Sequence, residues 1–222
     1  QFLLVLACIM KAVDTHADLL RQSASNVGND HRLGACEAPP AIISMFLGEQ
    51  LEDVVEQLVE TGKASKLKEG GVLQTGVSTL PDFEKDATDR NRTSPFAFTG
   101  NKFEFRMVGS EDSIGSPNTI LNAIVAEAFC EAANRLEGVE DFEMAVHDLI
   151  KEYMTKHQRI IFNGDGYSQE WVKEAERRGL PNIPSMVEAV ETLTTEKSIR
   201  LFEKFGIFTK AELEARAEIR CE

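Results

Sequence analysis

Positive charge is scarce in this chain: 24 lysines and arginines stand against 37 aspartates and glutamates in 222 residues, a formal net charge of −13 with a pI near 4.9. So acidic a surface repels phosphate backbones and anionic headgroups, and no basic stripe offsets it, which excludes nucleic acid and membrane surfaces as principal partners. Cysteine is also sparse. Cys8, Cys36, Cys130 and Cys221 are scattered with no Cys-x-x-Cys pair, which argues against a disulfide scaffold or zinc site and predicts reduced thiols in a cytoplasm. Long apolar runs are missing too. The stretch FLLVLACIM at residues 2–10 is too short to span a bilayer and has neither a basic segment before it nor a small-residue cleavage pattern. It predicts a buried helix. There is no initiating methionine, and the sequence stops inside the helical run ELEARAEIRCE. Both ends therefore read as cuts within a longer protein, and the length suits one good-sized domain or part of a larger one. Internal repeats and low-complexity segments are absent.

What the chain does have is helical periodicity punctuated by caps. Residues 2–21 are apolar on nearly every side and predict a core helix, broken near Asp14 to Ala17. The polar, glycine-containing residues 23–34 predict a loop carrying Asn29, Asp30, His31 and Arg32. After Pro39-Pro40, the run AIISMFLGEQLEDVVEQLVE sets Leu51, Val54, Val55, Leu58 and Val59 at helical spacing and predicts an amphipathic helix ending near Thr61-Gly62. Residues 63–71 read as a charged surface segment, 72–80 as an edge strand or irregular passage, and 82–90 as a charged approach to a pair of central strands.

Ser116-Pro117 predicts an N-cap and first-turn proline for a helix to about Leu136. Its Ile120, Leu121, Ile124, Val125, Ala128 and Phe129 should pack behind a sheet. Asp141 caps a second helix through His157, with Phe142, Val146, Leu149, Ile150, Tyr153 and Met154 as its buried stripe, and the two can form a helical hairpin. Asn163-Gly164-Asp165-Gly166 lacks the Lys-Ser/Thr of a phosphate loop and the acidic ladder of a calcium loop, and reads as a turn. Ser168 caps a helix to Arg178 that Gly179 ends, while Ser185 with Glu188 and Thr209 with Glu212 make capping boxes. The last third is therefore helical. His147 and His157 lack metal-ligand spacing, and Trp171, Phe205 and Phe208 read as packing.

The chemistry concentrates at residues 91–107, NRTSPFAFTGNKFEFRM, which predict two short strands joined by a turn at Thr99-Gly100-Asn101. Side chains alternate faces along a strand, so Lys102, Glu104 and Arg106 project to one side and Phe103, Phe105 and Met107 to the other. Phe96 and Phe98 share a face on the first strand. The ionic face is either a solvated surface with cross-strand charge pairs or a site. Arg90, Arg92, Lys102 and Arg106 gather around one carboxylate, Glu104, in an otherwise acidic chain. That mixture suits a phosphate and a divalent cation: the guanidinium fork matches phosphate or carboxylate oxygens, and a carboxylate supplies the hard ligand magnesium prefers.

These residues resemble the arginine-rich strand region of glutamine synthetases, where an Asn-Arg-Ser/Thr run precedes a strand of the form basic, apolar, Glu, apolar, Arg. A second match lies upstream, where GNDHRLGACEAPPAIIS at residues 28–44 is similar to the Arg-Leu, Glu-Ala-Pro flap of that family. Together the two stretches look most like its long type III branch. Weaker similarity extends over nearly the whole chain, including PNTILNAIVAEAF and RIIFNGDGYSQEWVKEAERRGL. Many members carry a further arginine before the strand where this chain has Ala97.

The resemblance implies an α+β fold forming part of the catalytic domain, with active-site antiparallel strands backed by helices and a helical C-terminal third. Residues 1–136 would be partial catalytic domain, with a flap loop at 29–40 and active-site strands at 91–108; residues 137–222 would be a helical region of the same or an appended domain. It implies ATP-dependent ligation of glutamate and ammonia through a γ-glutamyl phosphate, with Mg2+ or Mn2+. By resemblance Glu104 is the metal ligand, Arg92 stabilises the transferring phosphoryl group, and Arg92 and Lys102 face ATP. Arg32 and Arg106 hold the glutamate, and Glu37 is the flap carboxylate that accepts a proton from ammonium. Members assemble as ring-shaped homo-oligomers, and a segment of this length is expected to be inactive alone. The alternatives are a related ATP-dependent carboxylate–amine ligase and a noncatalytic nucleotide-binding or scaffold module.

Overall fold

A computed structural model describes residues 1–35, 38–63, 72–73, 83–84 and 94–221. The core is built around α1 (Phe2–Thr15), which buries Leu6, Ala7, Cys8, Met10, Ala12 and Val13. A helix this apolar on all sides needs neighbours on all sides. It has them: α5 (Gly115–Leu136) and α6 (Phe142–His157) both pack extensively on α1 and touch each other, as a helical hairpin predicts. Polar groups tie the three together, with Lys11 and Tyr153 both bonded to Glu131. The predicted break falls at His16, where the backbone leaves helical geometry (φ −117°, ψ 29°) before α2 (Ala17–Ser23) resumes. Asp14, just before the break, is buried and accepts hydrogen bonds from Arg159 at 2.8 Å and from His157 at 2.7 Å. Each is a charge-assisted contact that satisfies a carboxylate removed from water.

Four sequence expectations are corrected. Residues 27–32 are not loop but a short helix, α3 (Val27–Arg32), because Asn26 caps it by accepting the N–H of Asn29 at 2.7 Å. Two of the four polar residues that suggest a loop turn to the interior: Asn29 is buried and Asp30 accepts from the buried Arg21, whereas His31 and Arg32 are exposed. In the run after Pro40 the helix begins only at α4 (Glu49–Thr61), ending as expected at left-handed Gly62. Residues 41–47 are buried and non-helical, with Met45–Phe46 forming β1, and Gly48 at φ 82° separates the two. The third concerns α5, which starts two residues early at Gly115 with Ile114 in place of Ser116 in the cap position and no side-chain bond from that cap. It packs on α1, α2, α6 and α9 (Glu196–Lys204) rather than directly behind the sheet. Its stripe residues Ile120, Ile124 and Ala128 are buried, whereas Phe129 is exposed. Phe142, placed in the buried stripe of α6, is also exposed.

A two-residue antiparallel pair, β2 (Val72–Leu73) with β3 (Phe83–Glu84), falls within the stretch read as an edge strand or charged approach. The remainder of that stretch lies outside the described residues. The main sheet has the order β1-β4-β5, with β4 (Phe96–Phe98) parallel to β1 and antiparallel to β5 (Phe103–Phe105). The chain is thus α+β and mostly helical. Helices after residue 137 complete the core. Ser168 caps α7 (Gln169–Arg177), whose Trp171 stacks on Phe162 at 3.7 Å between ring centroids. Ser185 caps α8 (Met186–Val190), a 3-10 turn follows at Glu191–Thr194, and Thr209 with Glu212 forms the expected reciprocal box ahead of α10 (Lys210–Cys221). Cys8, Cys130 and Cys221 are unpaired, and burial pushes the Cys8 thiol up to about 11. No helix among the described residues is long and apolar enough to cross a membrane.

Candidate functional site

The hairpin β4–β5 sorts its side chains as its alternation demands. Phe96 pairs with Phe105 and Phe98 with Phe103, so the four phenylalanines share one face; Phe96 and Phe103 stack at 5.0 Å, and Phe98 meets Phe2 of α1 at 5.9 Å. Contacts of this kind contribute about 0.5–1.5 kcal/mol each beyond their buried area. They fix the strand's rotation. The turn closes with Thr99 N–H donating to the carbonyl of Lys102 at 2.9 Å. Gly100 sits there at φ 93°, a backbone region that L side chains rarely adopt.

With the aromatic face packed, Lys102, Glu104 and Arg106 are left on the other. Arg106 donates to the Glu104 carboxylate from Nη2 at 2.8 Å and Nε at 3.2 Å, a forked approach, and Lys102 Nζ stands 3.5 Å from the second oxygen. Glu104 and Arg106 are each about a third exposed, so the group is open to a ligand yet partly shielded from water. Ala97 pairs across from Glu104 and is fully buried, contributing no cation to that face.

Arg32, at the end of α3, is fastened to the backbone just after β5. Its Nη2 donates to the carbonyl of Met107 at 3.0 Å, and its Nε donates to Asn29 Oδ1, also at 3.0 Å. Asn29 in turn donates to the carbonyls of Ala24 at 2.6 Å and Met107 at 2.9 Å. One buried amide therefore fastens the end of α3 to the residues after β5. Arg32 and Arg106, 74 positions apart in the sequence, are brought to one end of the hairpin. The entry to β4 is fixed separately: Ser44 Oγ donates to Ser94 Oγ at 2.8 Å, and Ser94 Oγ donates to the carbonyl of Phe162 at 2.7 Å. Neither the anchoring role of Asn29 nor this serine relay is visible in the sequence. Their partners lie far along the chain, and only the Asn-x-x-Arg spacing on α3 offered a signal for the first.

Glu37 and Arg92, with Arg90, lie outside the described residues. The flanks of Glu37 are described: Gly34, at φ 78°, donates its N–H to the carbonyl of Pro39 at 2.9 Å. Among the described residues no three His, Cys, Asp or Glu side chains converge on a common point. Of those residues, Glu104 alone offers a hard oxygen ligand on the ionic face. That donor set fits magnesium, which keeps several waters and commonly takes only one or two carboxylates alongside phosphate oxygens.

Residues 145–222 match the family model for the glutamine synthetase C-terminal domain. The chain is 47% identical over 224 residues to the type-3 glutamine synthetase of Dictyostelium discoideum, covering 99% of this chain and 30% of that protein. It is 40% identical over 230 residues to a glutamine synthetase of Butyrivibrio fibrisolvens and 42% over 228 residues to one of Bacteroides fragilis strain YCH46, covering all of this chain and 31% of each. The chain thus spans about a third of the length of the curated relatives it matches.

Proposed function

Because this chain belongs to the glutamine synthetase family, we propose that it supplies part of the active site of an ATP-dependent glutamate–ammonia ligase. The reaction joins L-glutamate and ammonia at the expense of ATP, giving L-glutamine, ADP and phosphate through a γ-glutamyl phosphate. The reading is supported by Arg32 being fastened to the backbone of Met107, next in sequence to Arg106, whose guanidinium pairs with Glu104. Two arginines held at one end of a hairpin suit a carboxylate substrate, because each can bond it in a planar fork and together they can fix its direction. Arg32 and Arg106 are assigned to glutamate. Glu104 is assigned to Mg2+ or Mn2+, which when bound would neutralise the charge on phosphate oxygens.

Phosphoryl transfer rests on positioning and on cancelling charge. Arg92 is assigned to the transferring phosphoryl group and, with Lys102, to ATP. Lys102 is well placed for a mobile anion, being exposed at the hairpin turn with only a loose contact to Glu104. Arg106 and Glu104, paired with each other in this structure, would exchange that bond for glutamate and cation, keeping both charges satisfied throughout. Glu37 is assigned the proton released as ammonium becomes the attacking amine, and closure of the loop after α3 that carries Glu37, the remainder of the flap expected at 29–40 once residues 29–32 are helix, would keep water from the acyl phosphate. Residues 1–136 would then be catalytic domain, including strands 91–108, and 137–222 its helical continuation. The complete enzyme would be a cytoplasmic, ring-shaped homo-oligomer.

The test is an assay of the full-length protein for glutamine formed from ATP, glutamate and ammonia with magnesium, beside the 222-residue chain as control. Glutamine from the full-length protein and none from the control is the expected result. A folded, oligomeric full-length protein that makes none would overturn the reading in favour of another carboxylate–amine ligase or a binding role.

A further inference from the structure

A cavity of about 390 Å³ opens between α2, the first turn of α5, α9 and α10. Its walls are apolar at Phe202 and Phe208, and polar groups converge on it from three elements. Gln22 is 1% exposed, and neither the oxygen nor the nitrogen of its side-chain amide has a hydrogen-bond partner. A buried primary amide left unmet at both ends is unfavourable unless something that donates and accepts comes to it. Arg220 has a buried Nη1 that is likewise unpartnered. Burial, reinforced by the nearby Arg216 guanidinium, draws Arg220 below the usual arginine value, though an arginine remains a cation there.

Two like charges therefore line one cavity, and among the described residues neither is paired with a carboxylate. Glu212, one turn before Arg216, is occupied with the N–H and hydroxyl of Thr209 at 2.8 and 2.9 Å. Arg216 lies over the Phe208 ring, 4.2 Å from its centroid, which holds the guanidinium against the wall. The first turn of α5 adds Ser116 and the positive end of a 22-residue helix whose N-cap residue makes no side-chain bond, the Gly115 N–H being taken by Ser113 Oγ at 3.1 Å.

We propose that this cavity binds a small organic anion, a carboxylate or phosphate group on an apolar body. Arg220 and Arg216 hold the oxyanion at the α5 N-terminus, Gln22 bonds the ligand's polar edge, and Phe202 and Phe208 cover the apolar part. None of Arg32, Lys102, Glu104 and Arg106 lines the cavity, so the site stands whether or not the catalytic assignment does.

The test is calorimetric titration of the full-length protein with benzoate and, separately, with phenyl phosphate. Arg220→Met, Gln22→Leu and Arg106→Met are compared with wild type. The expected result is binding of at least one probe that survives Arg106→Met and weakens about tenfold or more in Arg220→Met, the scale of a lost charge-assisted bond. The tighter probe identifies the head group. Gln22→Leu should also weaken binding without lowering the thermal midpoint, since it removes an amide that has no partner in the fold. Absence of heat with either probe up to about 10 mM, binding indifferent to Arg220→Met, or binding abolished by Arg106→Met would each overturn the proposal. So would a fall of several degrees in the midpoint of Gln22→Leu, which would show that the amide serves a structural partner.

Discussion

Arg32 donates to the carbonyl of Met107, the residue immediately after Arg106, at 3.0 Å. The two arginines assigned to one substrate are thus coupled through backbone, and Asn29 is the joint that holds them, since its amide bonds both the Met107 carbonyl and the Arg32 Nε.

Asn29→Ala should release Arg32 and leave buried carbonyls unmet, costing about 1–3 kcal/mol of stability. In the full-length enzyme the KM for glutamate should rise about tenfold with kcat much less affected, the pattern of lost ground-state and transition-state binding alike. Steady-state kinetics at varied glutamate checks this. An unchanged KM would mean that Arg32 does not depend on Asn29 for its position, or does not hold glutamate.

Asp30 performs the same service for the core. Arg21 is fully buried, donates to Asp30 at 2.6 Å and to the carbonyl of Ile183 at 2.9 Å, and Asp30 also accepts the N–H of Met186 at 2.5 Å. Asp30→Ala would strand a buried guanidinium and should cost about 3–5 kcal/mol. Denaturant unfolding of the full-length protein measures it, and a loss below about 1 kcal/mol would show the pair to be solvated.

A stability effect of pH is expected from His16. It is buried, with Nε2 2.8 Å from Glu127. Burial lowers its pKa from the ordinary 6.5, outweighing the opposing pull of Glu127. The folded chain then binds fewer protons here than the unfolded chain, so the contribution is present above about 6.5 and is lost as pH falls through the lower folded value. Between about pH 7 and 5, His16→Gln should show a shallower loss of stability than wild type. A ring titration midpoint above 6.5 for His16 by NMR would contradict the sign.

The contrast between Asn29 and the hairpin shows what was legible in the chain. Alternation of Phe103, Glu104, Phe105 and Arg106 depends on neighbours two apart, and it survived into the structure with its turn at Gly100. Local caps at Asp141, Ser168, Ser185 and Thr209 were equally readable, because donor and acceptor lie within one turn of each other. Asn163 was not. Its sequence context reads as a turn, yet its Oδ1 accepts the N–H groups of Leu47 and Gly48 and its Nδ2 donates to Glu52, closing the start of α4 from more than a hundred positions away. Polarity in residues 23–34 misled for the same reason: its partners are distant, and composition cannot distinguish a buried polar network from a solvated loop.

Glu37→Ala in the full-length enzyme should slow ammonia-dependent glutamine synthesis by about 10²-fold or more, the scale of a general acid–base contribution. Glutamate-dependent formation of the acyl phosphate should suffer less, because that step precedes the proton transfer. Rapid-quench measurement separates the two half-reactions, and equal loss in both would assign Glu37 to closure of the loop instead.

The most direct test of the central claim is the magnesium dependence of glutamine formation by the full-length protein carrying Glu104→Gln. The amide preserves shape and removes the charge that would bind the cation and that now pairs with Arg106. Turnover should fall by about 10²-fold or more, with half-saturation displaced to higher magnesium. Wild-type turnover at unchanged magnesium would contradict the assignment of this hairpin as the metal- and glutamate-holding part of the site.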